Sequence, residues 1–254
     1  MREIADAAGA FLMTDMAHLS GLVATGLAES PFAHSDVVTT TTHKTLRGPR
    51  AGLVFYRRAL GEAVNAAVFP ALQGGPHNNN IAAVAVALKE AAAPEFAAYQ
   101  RCVVANARAM AAALVARGHA VATGGTDNHI VLWDLRPFSI TGSKVEALLE
   151  ACGLTANKNS VPGDVSAVAP GGVRLGSAAL TTRGASEDDF AAIGALLDDA
   201  LRLALEVQAA VPGGSKKLVD FRAEMGAAQW AGQLGALRER AEGLAKGLRD
   251  PEGL

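Results

Sequence analysis

Apolar and polar positions fall into two kinds of run along this chain, short β-branched or apolar segments and longer segments with a helical period. Met1 to Asp6 reads as a charged amphipathic helix already under way. Phe11-Leu12-Met13-Thr14-Asp15 then has the length and the helix-then-strand order of a buried parallel strand that ends in a carboxylate. Further strands are expected from Asp36 to Thr42 and from Gly52 to Tyr56. An apolar helix from Ile81 to Ala93 should stop near Pro94, and a long amphipathic one from Glu95 to Arg117 should close at Gly118; the pair reads as a bridge between two domains. Beyond it the pattern predicts a strand from Ile130 to Leu135 and a helix opened by a Ser143/Glu146 capping box. A short strand and loop follow from Leu154 to Pro162, then a strand from Val173 to Leu175. Ser186 and Asp189 open a helix towards Val211, Pro212-Gly213-Gly214 breaks it, and two helices complete the chain. Strands separated by short crossovers predict an α/β fold, with functional groups gathered at strand ends.

Composition narrows this picture. In 254 residues, 50% are hydrophobic and 19% charged, enough for a buried core and unlike a disordered chain. The 23 basic and 25 acidic residues leave a net charge of -2, so no overall field favours nucleic acid or an anionic membrane. Arg108, or Asp198 and Asp199, interrupt every apolar run before the ~18 residues of a membrane span, and a soluble protein is expected. Cys102 and Cys152 fit neither a disulfide framework nor a zinc site and read as reduced core thiols; no metal site is expected. The N-terminus lacks the order of a secretory signal, and the chain reads as one that begins mid-fold.

The chemistry concentrates in Val37-Val38-Thr39-Thr40-Thr41-Thr42-His43-Lys44-Thr45-Leu46-Arg47-Gly48-Pro49-Arg50. A strand here would end in a lysine among hydroxyls, an imidazole and two arginines. Partial burial and neighbouring cations would lower the pKa of such an amine until it attacks a carbonyl to form a Schiff base. A solvated basic loop fits this segment alone equally well. Asp15 shifts the balance, because a carboxylate at the end of a buried strand needs a partner to offset its desolvation. Pyridoxal phosphate needs both groups: a lysine to hold its aldehyde, and a carboxylate to keep its ring nitrogen protonated. His18 could face that ring, or be only a satisfied loop histidine.

Thr14-Asp15-Met16-Ala17-His18-Leu19-Ser20-Gly21-Leu22-Val23-Ala24, together with the threonine-rich lysine segment, resembles the serine hydroxymethyltransferases. The resemblance continues through Phe69 to Asn78, Gly124 to His129, Asn157 to Asp164 and Gly172 to Gly176, in wording closer to the eukaryotic branch than to the bacterial one. It implies a fold-type I pyridoxal-phosphate transferase, here an incomplete large domain (1–94) plus a smaller C-terminal α/β domain (95–254). It further implies interconversion of serine and tetrahydrofolate with glycine and 5,10-methylenetetrahydrofolate. Lys44 would carry the cofactor covalently, Asp15 would pair with the ring nitrogen, and His18 would contact the phenolic oxygen. Thr41 and His43 would flank the lysine, and Arg50 would support the same pocket. Arg174 would clamp the amino-acid carboxylate with its planar fork. Gly75, lacking Cβ, would offer a backbone N–H to the cofactor phosphate of a neighbouring subunit. Asn159 would bond the folate pteridine. Taken singly, Gly75 could be a turn residue, Arg174 a surface ion pair and Asn159 an Asx-turn former; the family order favours the functional roles.

The resemblance has gaps. Ser177-Ala178 stands where the family has Thr-Pro, which predicts a looser loop after the Arg174 strand. Asn79 replaces a histidine at an expected subunit contact. The phosphate-cradling Ser-Gly turn, the group stacked on the ring, and the family's acid–base glutamate and tyrosine are not found. The remaining half-domain should therefore show unpaired strand edges and an exposed apolar face, and this chain alone little or no transferase activity. A non-catalytic shortened paralogue that binds full-length subunits is the alternative. Another pyridoxal-phosphate aldolase or transaminase is a third reading, against which Asn157-Lys158-Asn159 speaks. Homodimers or homotetramers and a cytoplasmic location follow from the family, with mitochondrion or plastid as other locations.

Overall fold

The computed structural model describes residues 1–166 and 168–250; Ala167 and the last four residues of the expected 95–254 domain lie outside the described residues. The chain divides into two units, Met1–Arg101 and Cys102–Leu254. Among the described residues no helix is long and apolar enough to cross a membrane.

The first unit contains α1 (Arg2–Ala7), β1 (Met13–Asp15), α2 (Ser20–Ala24), β2 (Val37–Thr41), β3 (Gly52–Tyr56), α3 (Gly61–Ala66), α4 (Asn78–Ala91) and the start of α5 (Pro94–Ala116). Its sheet has the order β1-β2-β3. β2 runs parallel to β1, with Asp15 opposite Thr39, and antiparallel to β3, with Thr41 opposite Gly52. Strand period divides the threonine run between two faces: Val38 and Thr40 are buried, while Val37, Thr39 and Thr41 point the other way. Asp36, at the head of β2, accepts from Leu12 N–H at 2.8 Å and from Arg2 at 2.7 Å, which ties α1 and the entry to β1 to the central strand.

β1 is shorter and more open than the apolar run predicts. Phe11 and Met13 are 76% and 61% exposed, and Val54, Phe55 and Tyr56 of β3 are also exposed. The expected burial fails because β1 pairs with one strand only and nothing among the described residues covers these side chains. The expected apolar face is therefore present, and β1 and β3 are both edges.

The second unit contains the rest of α5, β4 (Ala120–Val121), β5 (Ile130–Asp134), α6 (Gly142–Ala151), β6 (Asn157–Asn159), β7 (Gly172–Gly176), α7 (Ala178–Thr182), α8 (Glu187–Ala210), α9 (Leu218–Met225) and α10 (Ala231–Lys246). Its sheet has the order β4-β5-β7-β6 with every pair antiparallel. Val131 and Trp133 of β5 and Val173 of β7 meet Leu148 and Leu149 of α6, Phe190 and Leu201 of α8, and Phe221 of α9 in one core. The same period of two turns Arg174 away from the core face, beside Leu132 on one neighbour and Asn157 on the other.

Three expectations change here. α8 opens on a capping box, Ser186 and Asp189 each accepting the other's backbone N–H, but α6 does not. Its N-cap is Thr141, the Ser143 Oγ is buried without a hydrogen-bond partner, and Glu146 instead accepts Lys158 N–H at 3.0 Å. Tertiary packing sets this helix start: Gly142 N–H bonds Pro170 O at 2.7 Å, and a Cβ at 142 would overlap the carbonyl of Gly172. Of the two thiols, neither bridged, Cys152 is buried and pushed up in pKa by that burial, whereas Cys102 falls on an exposed stripe of α5. Ser177 replaces looseness with an anchor, since it is fully buried and its Oγ donates to Val103 O at 2.6 Å.

A buried carboxylate in this unit gives a pH prediction. His119 Nε2 stands 2.9 Å from Asp198 Oδ1, edge-on to Trp133 at 5.2 Å between ring centroids, and Arg202 reaches Asp198 Oδ2 at 3.1 Å. Burial raises the Asp198 pKa, but Arg202 and His119 outweigh it and hold the carboxyl below its ordinary 3.8. The stabilisation is then fully present above that ordinary value and is lost as pH falls through the lower folded-state value. Asp198→Asn should destabilise the protein at neutral pH by about 2 kcal/mol, less than for a dry pair because Arg202 stands in water. Melting curves from pH 7 to pH 3 should show the gap between variant and wild type closing below 3.8. A gap of constant size would rule out this ionisation as its source.

Candidate functional site

The parallel pairing of β1 and β2 brings their C-terminal ends together, and four of the predicted groups meet there. Asp15 Oδ1 accepts the N–H of Ala17 at 2.8 Å, an Asx-type turn, and Oδ2 accepts the hydroxyl of Thr39, its register partner, at 2.8 Å. These two bonds, in that order, outweigh the desolvation that opposes them and, with the lesser help of the Lys44 and His18 charges, hold the carboxyl below its usual range. Asp15 is exposed, contrary to the expectation of a buried carboxylate. Hydrogen bonds rather than escape from desolvation therefore favour its ionised form.

Lys44 is half-buried and its Nζ donates to Thr41 Oγ1 at 2.9 Å. Thr41, the last residue of β2, turns its own hydroxyl towards Ala17 O at 3.5 Å, so one side chain links the lysine to the turn after Asp15. His18 is half-buried in that turn. His43 is also half-buried, and its Nδ1 has no hydrogen-bond partner among the described residues. Thr42 closes the loop beneath, its Oγ1 donating to Pro49 O and its carbonyl accepting Gly48 N–H at 2.7 Å. Arg50 stands exposed at the end of this loop.

An ionised carboxylate with the charges of Lys44 and His18 close to it, and an amine held by a hydroxyl, form a donor set that fits pyridoxal phosphate. Gly75 lies elsewhere in the first unit, in a groove of about 820 Å³ lined by Leu53, Phe69, Gly74, Pro76 and His77 among others, and by none of Asp15, His18, Thr41, His43 or Lys44. A Cβ at Gly75 would meet nothing within 4 Å among the described residues. Arg174 and Asn159 belong to the second unit. Arg174 is half-buried on β7, and Asn159, opposite Gly172 on β6, donates to Ser160 O at 2.8 Å.

Sequence reasoning passed over Thr39, Thr45 and Gln100. Thr39 was readable from the strand period, since it shares a face with Thr41; Gln100 carried no local signal, because its partner, Thr45 O, is far away in the chain.

The scaffold is mixed α/β, with a lysine, an aspartate and a histidine at adjoining strand ends. The chain belongs to the serine hydroxymethyltransferase family: residues 1–197 match the family model described as serine hydroxymethyltransferase. It is 54% identical to the chloroplastic serine hydroxymethyltransferase 3 of Arabidopsis thaliana, over 87% of this chain and 42% of that protein. It is 49% identical to the cytosolic serine hydroxymethyltransferase of Neurospora crassa, over 89% of this chain and 50% of the relative. With the serine hydroxymethyltransferase of Bombyx mori the identity is 48%, over 98% and 56%. The chain thus spans about half the length of the curated relatives it matches.

Proposed function

We propose that this chain supplies part of a serine hydroxymethyltransferase, which moves the hydroxymethyl carbon of serine to tetrahydrofolate and leaves glycine. In this reading it is a fold-type I chain, with 1–94 the C-terminal part of the large domain and 95–254 the small domain. The observation that carries the reading is the meeting of Asp15, His18, Thr41 and Lys44 at one sheet end in a chain of this family. Pyridoxal 5'-phosphate, when bound, supplies an aldehyde for the lysine and a ring that takes up electrons from the substrate Cα.

The residues have separate tasks. Lys44 Nζ is the covalent anchor, and the Thr41 hydroxyl fixes where that amine waits. The Asp15 carboxylate, kept ionised by Ala17 N–H and the Thr39 hydroxyl, holds a proton on the ring nitrogen. His18 would contact the phenolic oxygen, His43 would flank the anchor lysine that follows it in the chain, and Arg50 would support the same pocket. Gly75 gives its N–H to a phosphate held by a second subunit of a homodimer or homotetramer. Arg174 takes the serine or glycine carboxylate and Asn159 the pteridine. The cytoplasm is the proposed compartment, with mitochondrion or plastid as alternatives; relatives are named as cytosolic, mitochondrial and chloroplastic.

The exposed Phe11, Met13 and Leu72 favour one second reading, a chain that binds complete subunits without turning over serine. To test the two, the full chain is given pyridoxal phosphate, serine and tetrahydrofolate, alone and with the unmatched part of the Bombyx mori relative. Folate-dependent glycine formation in the mixture supports the enzyme. Its absence, with altered assembly of a complete relative, supports the binding protein, and keto-acid formation would point to a transaminase.

A further inference from the structure

We propose that Thr45, Gln100 and Gly21 form a clamp that positions Lys44 against the His18 turn, none of the three touching the cofactor; this rests on Lys44 being the covalent anchor. Thr45 follows Lys44 in the chain and is 1% exposed. Its hydroxyl donates to His18 O at 2.8 Å and accepts Gly21 N–H at 3.0 Å, so a single oxygen holds both ends of the turn from His18 to Gly21. Gln100, fully buried on α5, donates from Nε2 to Thr45 O at 2.7 Å. A Cβ on Gly21 would overlap both the Thr45 carbonyl and the Gln100 amide, so this three-way approach requires glycine.

The next turn of the loop is tied to the same helix. Arg47 takes a left-handed φ of 59° and lays its guanidinium 4.4 Å from the ring centroid of Tyr99. A non-glycine residue persists there only where its surroundings dictate the backbone.

The clamp matters because a lysine amine ends a flexible four-carbon stem, and its reach is defined only as well as the backbone beneath it. Thr41 holds the amine end of Lys44, and Thr45 holds the backbone end to the turn that carries His18. Fixing both removes the freedom of amine and imidazole to drift apart, which would otherwise have to be lost at each productive encounter.

The test uses the full chain as wild type, Thr45→Val and Thr45→Ser. Each is incubated with limiting pyridoxal phosphate and reduced with borohydride, and mass spectrometry gives the label on Lys44 relative to exposed Lys89. Hydrogen exchange at the Gly21 amide is followed in parallel. Thr45→Val, which keeps shape but not the hydroxyl, should lower the Lys44 to Lys89 ratio and speed Gly21 exchange by ~10-fold each. Thr45→Ser should restore both. The clamp is overturned if Thr45→Val keeps the wild-type ratio, or if Thr45→Ser is as poor as the valine variant. A wild type that shows no preference for Lys44 overturns the anchor assignment and the positioning role with it, whatever the Gly21 exchange reports. Gln100→Met, which loses the amide donor at similar volume, is held to the same outcomes should Thr45→Val not fold.

Discussion

Lys44→Ala is expected to remove borohydride-fixed pyridoxal phosphate from position 44 outright and, in any preparation that turns over serine, to lower the rate by roughly 10⁴-fold or more, the scale of losing a covalent group that acts with its neighbours. Lys44→Arg separates the two things the side chain could contribute. It keeps a positive charge near Asp15, so a purely electrostatic role would survive the change. A covalent role would not, because a guanidinium does not become a free amine at neutral pH. The two variants should therefore be equally deep in defect. Neither should unfold the protein, since the half-buried Lys44 side chain makes one hydrogen bond, to Thr41, worth about 1 kcal/mol. An arginine variant that retains a tenth or more of the serine turnover would end the covalent assignment while leaving the family membership untouched.

How much of this was legible in the sequence follows from which forces are local. The threonine run gave its strand because β-branched residues favour one, and the strand period put Thr39 and Thr41 on one face. Gly118 ended α5 and Ser186 with Asp189 opened α8 because such caps depend on residues a few positions apart. The errors came where distant packing decides. Phe11 and Met13 look like a buried strand to any local reading, yet burial is a property of what lies across from them. Ser143 and Glu146 have a capping box's spacing, but Gly142 is already committed to Pro170 O, and the helix begins two residues earlier, with Thr141 as its N-cap. At the site, residue types and order pointed to Asp15, His18 and Lys44. The source of Asp15's acidity did not show, because it lies in the Ala17 amide and in the Thr39 hydroxyl across the sheet.

Gly142→Ala should destabilise the second unit by about 3 kcal/mol or more, at the upper end of overpacking costs, whereas Gly235→Ala should stabilise it by ~0.5–1 kcal/mol. The chemical change is the same, one methyl group, and in a helix interior the unfolded-state entropy term favours alanine. Gly235, within α10, has open space around its missing Cβ, so that term acts alone. At Gly142 the added carbon overlaps the Gly172 carbonyl, and neither side can move cheaply. Gly142 N–H is bonded to Pro170 O, and the space beside Gly172 is so tight that a Cβ there would overlap Val161 and the carbonyl of Trp133. Relief must come from shifting α6 off β7, which opens the core at Val145 and Leu148 and disturbs the strand two residues before Arg174. Melting temperatures measured side by side should move in opposite directions, by ~6–12 °C downward for Gly142→Ala. Serine affinity in an active preparation should weaken with Gly142→Ala and not with Gly235→Ala. Equal melting of the two variants would mean that α6 is not held by this backbone contact, and the packing reason given for its early start would fall with it.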